Sequence, residues 1–319
     1  MVRSLVTGGA GFIGSHLCDA LVARGWPVWC VDNLRLGREA NIAHLLGNPF
    51  FRFVKLDVLD EQALDALFAE AGFEAVFHLA ANSDIQQGSA DHTLDRRLNF
   101  DTTTVVLAAM LRHDVRNLFF ASTSAVFGES YAPLREDSGP LRPISFYGAS
   151  KLAAESYISV YVQNHEFKAR ILRFPNVVGP RMTHGAIFDF VSRLKADPTQ
   201  LTVFGDGTQA KPYLHVDDLV KAILLVWDRA TEALAVFHVG NDDQTTVAEL
   251  ARMVVSEMGL AGIPIHFTGG ARGWVGDVPR FAYDFAKIQR AGFVPSRSSS
   301  GAVGEAARSL VEAAMKVTQ

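Results

Sequence analysis

The chain has 319 residues, 49% of them hydrophobic, enough to bury a large core as one large or two modest domains. Charged residues make up 20% and the formal net charge is -4, so nothing in the bulk electrostatics favours nucleic acid or an anionic membrane. Basic groups that meet phosphate must therefore be placed locally. Cys18 and Cys30 read as two separate buried thiols, too few for a disulfide framework or a zinc site. Met1 leads straight into an apolar strand without the pattern of a secretory signal, and Leu219–Trp227 is short and interrupted by Lys221. These features predict a cytoplasmic protein with no membrane partner.

In chain order, the first half alternates strand and helix. Val2–Thr7 is a strand, and 11–24 follows with helical spacing through Ile13, Leu17, Ala20 and Leu21. Strands are expected at 26–31, 51–56, 75–79, 117–121 and 169–173, and helices at 61–71, 95–112 and 147–164. The strands are continuous apolar runs, which points to a parallel sheet covered on both faces and a doubly wound α/β (Rossmann) fold. After Phe174 the rhythm changes to loops at 175–185, 205–212 and 268–279, with helices at 186–196, 216–229, 247–258 and 302–316. The predicted division is 1–174 with about 212–240 as a dinucleotide-binding domain, and 175–211 with 241–319 as a smaller α/β substrate-binding lobe.

Gly8, Gly11 and Gly14 join the first strand to the first helix with G-x-x-G-x-x-G spacing. Small residues there let backbone N–H groups, including those of Phe12 and Ile13, approach a pyrophosphate at a helix N-terminus. The second strand ends in Asp32-Asn33, eighteen residues after Gly14. A carboxylate at that point bonds ribose hydroxyls and repels a 2′-phosphate, which predicts NAD rather than NADP. Asp57 and Val58 after the third strand, and Leu79-Ala80-Ala81 after the fourth, stand where the cofactor would pass.

Tyr147 and Lys151 are four apart and share a helix face. A phenol with an ordinary pKa of about 10 is a poor base, and a neighbouring ammonium is expected to lower it. Ser122-Thr123 ends the fifth strand and brings hydroxyls to the mouth of the sheet.

Together with His78-Leu79-Ala80-Ala81 and the run Arg173–Pro180, these motifs resemble, in order, the extended short-chain dehydrogenase/reductases, most closely the UDP-glucose 4-epimerases. The likeness extends into Gly205-Asp206-Gly207, Tyr213–Asp218 and 272–279. The resemblance implies that Thr123 bonds the sugar 4-hydroxyl, that Tyr147 is the base, and that Lys151 binds the nicotinamide ribose. Asn99, Ser122 and Pro175 would lie by the cofactor, with Ser122 also near the sugar. Asn176 would hold the diphosphate and Val203-Phe204 would flank the base, with Ile187, Lys211, Tyr213, Arg272 and Asp277 completing the substrate set. It implies 4-epimerisation of a nucleotide sugar, a UDP-sugar by preference: C4 is oxidised, the keto sugar turns, and it is reduced again.

The alternatives are an epimerase or decarboxylase of a UDP-uronic acid, another nucleotide-sugar epimerase or reductase, a 4,6-dehydratase, or a non-catalytic NAD-binding regulator. Related dehydratases carry an Asp-Glu pair directly after the threonine, where this chain has Ser124-Ala125. Lys211 replaces a common arginine and keeps its charge without bidentate geometry. Phe281 falls where relatives limit N-acetyl sugars. No metal is expected, since the ten histidines show no paired ligand spacing. By resemblance, the helices at 95–112 and 147–164 would form the interface of a homodimer.

Overall fold

The computed structural model describes residues 1–130, 133–270 and 282–316. Two compact units divide the chain. The first comprises Met1–Val126, Phe146–Arg173 and Ile223–Phe237; the second comprises Phe127–Ser145, Phe174–Ala222 and His238–Gln319.

Seven strands form the sheet of the first unit. They include β1 (Ser4–Thr7), β2 (Val28–Asp32), β3 (Phe51–Lys55), β4 (Ala75–His78), β5 (Asn117–Thr123) and β6 (Lys168–Phe174). The order is β3-β2-β1-β4-β5-β6, followed by the strand Leu234–His238. The registers from β3 across to β5 are all parallel. Because β2 and β3 lie on one side of β1 while β4 and β5 lie on the other, the strand order reverses at β1/β4. Open α/β sheets hold ligands beyond the strand tips at such a point.

The run of apolar residues in each strand is explained by cover on both faces. Leu5, Val76, Leu118, Phe120 and Ile171 pack on Leu64, Phe68, Leu107, Met110 and Ile158 of the helices Glu61–Ala71, Thr102–Arg112 and Phe146–His165. On the other face Phe77 meets Trp227 with ring centroids 4.5 Å apart. Each large side chain buried this way contributes about 1.5–3 kcal/mol, before the entropy of ordering the chain is counted.

The stretch expected as one helix over 95–112 is three pieces. His92–Asp95 is α-helical, Arg96–Asp101 is a π-helical turn and Thr102–Arg112 is α-helical. The Thr102 N–H reaches back five residues to the Arg97 carbonyl. Periodicity alone cannot report one widened turn within an otherwise regular helix, and such turns cluster at functional sites.

In the second unit, the helices Ala186–Ala196, Val247–Glu257 and Ser299–Lys316 pack together. Three two-stranded ladders accompany them. Asn176–Val178 pairs with Tyr213–His215, Leu201–Val203 with Ile265–Phe267, and Ala210–Lys211 with Thr245–Thr246. Two of these short strands lie inside segments read from sequence as loops, because three residues are too few to show a period. Thr246 and Glu249 form a reciprocal capping box that starts the 247–257 helix. No helix among the described residues is long and apolar enough to cross a membrane.

Candidate active site

The glycine loop is built for close approach. Gly8 has φ +70°, and a Cβ there would sit 2.7 Å from the Ala80 amide nitrogen. The tips of β1 and β4 are thus nearly in contact, and Ala80 N–H donates to the Thr7 hydroxyl at 3.3 Å. A Cβ at Gly14 would lie 2.1 Å from the Gly8 carbonyl oxygen, so the helix opens directly against the loop. Gly11 caps the helix Phe12–Ala23 without a side-chain bond, and its first turn carries no acidic residue. The orphan N–H groups of Phe12, Ile13 and Gly14 are therefore free of an internal anion, as a pyrophosphate site requires. Beneath the loop, Cys18 and Cys30 are neighbours rather than separate thiols. A Cβ at Gly9 would meet Cys30 Sγ at 2.6 Å and Cys18 Sγ at 3.3 Å. Burial, then contact with Cys30, pushes the Cys18 thiol well above its ordinary pKa.

Asp32 ends β2 and is buried. Its carboxylate accepts from the backbone N–H of Ala10 at 3.1 Å and of Leu34 at 2.8 Å. Burial raises its pKa and these bonds oppose the rise. A Cβ at Gly37 would lie 2.7 Å from both carboxylate oxygens, so a side chain there would fill the space over the acid. Exposed Asn33 donates to Asp57 Oδ2 at 3.1 Å, and Val58 is buried behind them. Leu79, Ala80 and Ala81 are half-buried at the end of β4.

His78 pairs across the sheet with Phe120, so β5 runs three residues beyond the tip of β4 and carries Ser122 and Thr123 past the sheet edge. Thr123 Oγ1 accepts the Ala125 N–H at 3.1 Å, and the Thr123 side chain acts on the Tyr147 phenol, favouring its ionised form. Burial nevertheless pushes Tyr147 up to about 12, with the charge of Asp95 adding to the rise. The lowering expected from Lys151 is not met in this arrangement. The Lys151 ammonium donates to the Ala121 carbonyl at 2.9 Å and lies 4.7 Å over the Phe120 ring. Lys151 is only 2% exposed, and burial pulls its pKa down to about 8 against the opposing charges of Glu155 and Asp95.

Several polar groups around this pair went unassigned in the sequence. Glu155 lies four residues beyond Lys151 on the same helix face. It accepts a short bond from the Ser122 hydroxyl, which is thus turned into the protein. It also takes a forked contact from Arg173 at 3.0 and 2.6 Å, in a pair whose side chains are 6% and 7% exposed. Asn99, on the π-helical turn, donates to Ser150 Oγ at 3.0 Å, and Ser150 donates to the Tyr147 carbonyl at 2.8 Å. The spacings Lys151–Glu155 and Asp95–Asn99 are the signals that point to Glu155 and Asp95.

Of the substrate residues expected in the second unit, Asn176 and Phe204 are exposed, with the Arg193 guanidinium 4.5 Å above the Phe204 ring. Pro175, Lys211 and Tyr213 are buried, and Ile187 and Val203 are core residues at 1% and 0% exposure. Tyr213 is held through its backbone, its N–H donating to Ser299 Oγ at 3.0 Å and its carbonyl accepting a short bond from Asn241. Arg272, Asp277 and Phe281 lie outside the described residues. His215, Asp217 and Glu305 bring three ligand-type atoms together, but the Arg297 guanidinium bonds both carboxylates and supplies the positive charge there.

Residues 4–240 match the model of a family described as NAD dependent epimerase/dehydratase. A putative UDP-glucose 4-epimerase of Methanocaldococcus jannaschii is 33% identical over 91% of this chain and 92% of its own length. A dTDP-glucose 4,6-dehydratase of Streptomyces griseus is 31% identical over 92% of this chain and 89% of its own. The crystal structure of Thermus thermophilus UDP-glucose 4-epimerase in complex with NAD superposes with a TM-score of 0.85 at 32% identity, covering 97% of this chain and 98% of that one. The glycine cradle, the uncapped first helix and the acid ending β2 fit the dinucleotide. This chain belongs to the NAD-dependent epimerase/dehydratase family.

Proposed function

We propose that the protein interconverts the C4 epimers of a nucleotide sugar, a UDP-hexose of the glucose/galactose type. The observation that carries this reading is the Thr123 hydroxyl placed beside the Tyr147 phenol, where it favours the phenolate, followed in sequence by Ser124-Ala125. The pair offers a hydroxyl to orient the 4-OH and a phenol to take its proton. Elimination of water across C5 and C6 needs a carboxylic acid and a base next to that threonine, and Ser124 and Ala125 supply neither.

Bound NAD supplies the acceptor for the C4 hydride and its return. Gly8, Gly11, Phe12, Ile13 and Gly14 would hold its pyrophosphate, and Asp32 with Asn33 its adenosine ribose. Asp57 and Val58 would lie at the adenine, and Leu79, Ala80, Ala81, Asn99, Ser122, Lys151 and Pro175 along the remainder. A second positive charge brought near Tyr147 opposes the burial that now holds its proton, so the phenol becomes a competent base when the site is filled. Tyr147 would then take the 4-OH proton and, once the keto sugar has turned its other face, return it to the 4-oxygen, while Thr123 bonds that oxygen. Net oxidation is zero, so the residues that grip the dinucleotide must not release it between half-reactions. Asn176, Phe204, Lys211, Arg272 and Asp277 would bind diphosphate and base, with Ile187, Val203 and Tyr213 shaping that side from within the lobe.

The test is a panel of UDP-, GDP-, CDP- and dTDP-sugars, uronic acids included, given to purified protein without added cofactor. The products are resolved by NMR. C4 epimers of a UDP-hexose are expected, and Tyr147→Phe should abolish their formation. Loss of water or carbon dioxide from the substrate overturns the assignment.

The chain is also proposed to act as a homodimer through the helices Thr102–Arg112 and Phe146–His165. Tyr157 and Val160 are 49% and 52% exposed on the second of these, and Phe100 packs edge-on to Tyr157 with centroids 4.8 Å apart. An apolar strip of this kind on a helix pair is costly to leave in water. A monomeric mass by light scattering would refute the dimer.

A further inference from the structure

Behind the Tyr147 helix lies a carboxylate that the reaction scheme above does not use. Asp95 is 1% exposed. Its Oδ1 accepts from Asn82 Nδ2 at 2.8 Å and from Asn99 Nδ2 at 3.4 Å. The Asn99 side-chain oxygen accepts the Asn82 backbone N–H at 2.7 Å, closing a ring of three residues. From Asn99 the chain of bonds continues to Ser150 and the Tyr147 carbonyl. Gly88 covers the acid so tightly that a Cβ there would lie 2.0 Å from Asp95 Oδ2. The widened turn over Arg96–Asp101 brings Asp95 and Asn99, four apart, nearly into line on one side of the helix.

We propose that Asp95 is a positioning residue: it fixes Asn99 and the first turn of the Tyr147 helix, and its buried charge sets the pH at which the Tyr147–Lys151 pair works. The inference rests on the reading of Tyr147 as the base.

Among the described residues, the charged and titratable groups that act on the pair are these. Glu155 shares the helix and is paired with Arg173 on β6; its charge bears on Lys151 but not on the phenol. His78 at the tip of β4 is held neutral, its pKa brought down to about 3 by burial and then by Lys151. Asp84 lies behind Asp95 and acts on it, and Thr123 acts on the phenol. Asp95 is the carboxylate whose charge bears on both members of the pair, making each hold its proton more tightly. A neutral side chain there would let both release protons at lower pH.

The experiment is Asp95→Asn in the holoenzyme, with two readouts. One is the pH profile of kcat/KM. The other is the ultraviolet titration of the Tyr147 phenolate, taken as a difference against Tyr147→Phe. Both midpoints are expected to move to lower pH by about half a unit or more. The alkaline limb should follow in the same direction through Lys151. A purely structural residue would reduce the rate or the melting temperature and leave both midpoints in place, and that result overturns the proposal. Asp95→Ser removes the same charge with less bulk and must give the same displacement if the asparagine variant does not fold. If wild-type protein shows no activity that Tyr147→Phe abolishes, the functional assignment fails, while the phenolate titration still decides the role of Asp95.

Discussion

In the first unit, a polar chain runs from Asn82 through Asp95, Asn99 and Ser150 to the Tyr147 carbonyl, and its members are 0–7% exposed. In the second, a polar cluster joins Asp217, Arg297 and Glu305 around His215, and its two carboxylates are 45% and 47% exposed. Each unit also holds a buried histidine, His78 in the first and His215 in the second, and both clusters tie a helix to its neighbours. They differ in what happens when one member is lost. A buried partner leaves an orphan that water cannot reach, whereas an exposed one is replaced by solvent. The first cluster should therefore be stiff and intolerant of change, and the second forgiving.

The strongest test of that contrast is Glu155→Leu. It takes from the buried Arg173 guanidinium the carboxylate to which it is bonded at 2.6 Å. Loss of about 3–5 kcal/mol in urea unfolding is expected, because breaking a buried ion pair costs more than removing one neutral bond. A loss under 1 kcal/mol would mean that water reaches Arg173, and the contrast would fail.

Next is Gly14→Ala. The new Cβ meets a backbone carbonyl at 2.1 Å, so loop and helix must part. A cost of about 1–3 kcal/mol is expected, together with loss of dinucleotide from the purified protein. Retained dinucleotide with unchanged stability would show that the loop yields freely.

How much of this was legible in the sequence differs between the units for the same physical reason. Six apolar strands, a glycine loop after the first, an acid ending β2, and a Tyr/Lys pair are local patterns, and each was readable from a few neighbouring residues; the seventh strand, Leu234–His238, was not. The Asp95–Asn82–Asn99 ring and the Ser122–Glu155–Arg173 chain join residues up to 33 apart, and only folding brings them together. Cys18 and Cys30 read as separate thiols for the same reason. In the second unit the strands are two or three residues long, below the length at which alternation registers. Ile187 and Val203 illustrate the limit: their place in a motif said nothing about which way the side chains turn, and the fold buries both.

The histidines provide a pH test of the comparison. His78 is fully buried and bonded to Thr7 Oγ1 at 2.7 Å and Thr103 Oγ1 at 3.1 Å. Its folded pKa, about 3, lies below the ordinary 6.5, so between those values the unfolded chain binds a proton that the folded chain refuses. Stability should then fall as pH drops through that window, by up to about 1.4 kcal/mol per unit. Unfolding free energies measured for wild type and His78→Gln should diverge in slope there, the variant being flatter. His215 is also pulled down by burial, but Asp217, Glu305 and Asp218 oppose the shift, so its contribution to the slope should be smaller. Equal slopes for variants at the two histidines would erase the distinction.

The smallest effect should come from Glu305→Ala. Glu305 accepts two bonds from Arg297, and in the first unit such a fork would be decisive. Here Arg297 keeps a second carboxylate, Asp217 at 3.2 Å, and its own side chain is 24% exposed. Removing Glu305 therefore frees a guanidinium that still has a partner and still touches water. A change of about 0–1 kcal/mol in urea unfolding is expected, shrinking further in high salt because the pair is screened. A larger loss that salt leaves untouched would place the 299–316 helix under the same constraint as the Tyr147 helix, and burial would no longer explain why one cluster resists change and the other accepts it.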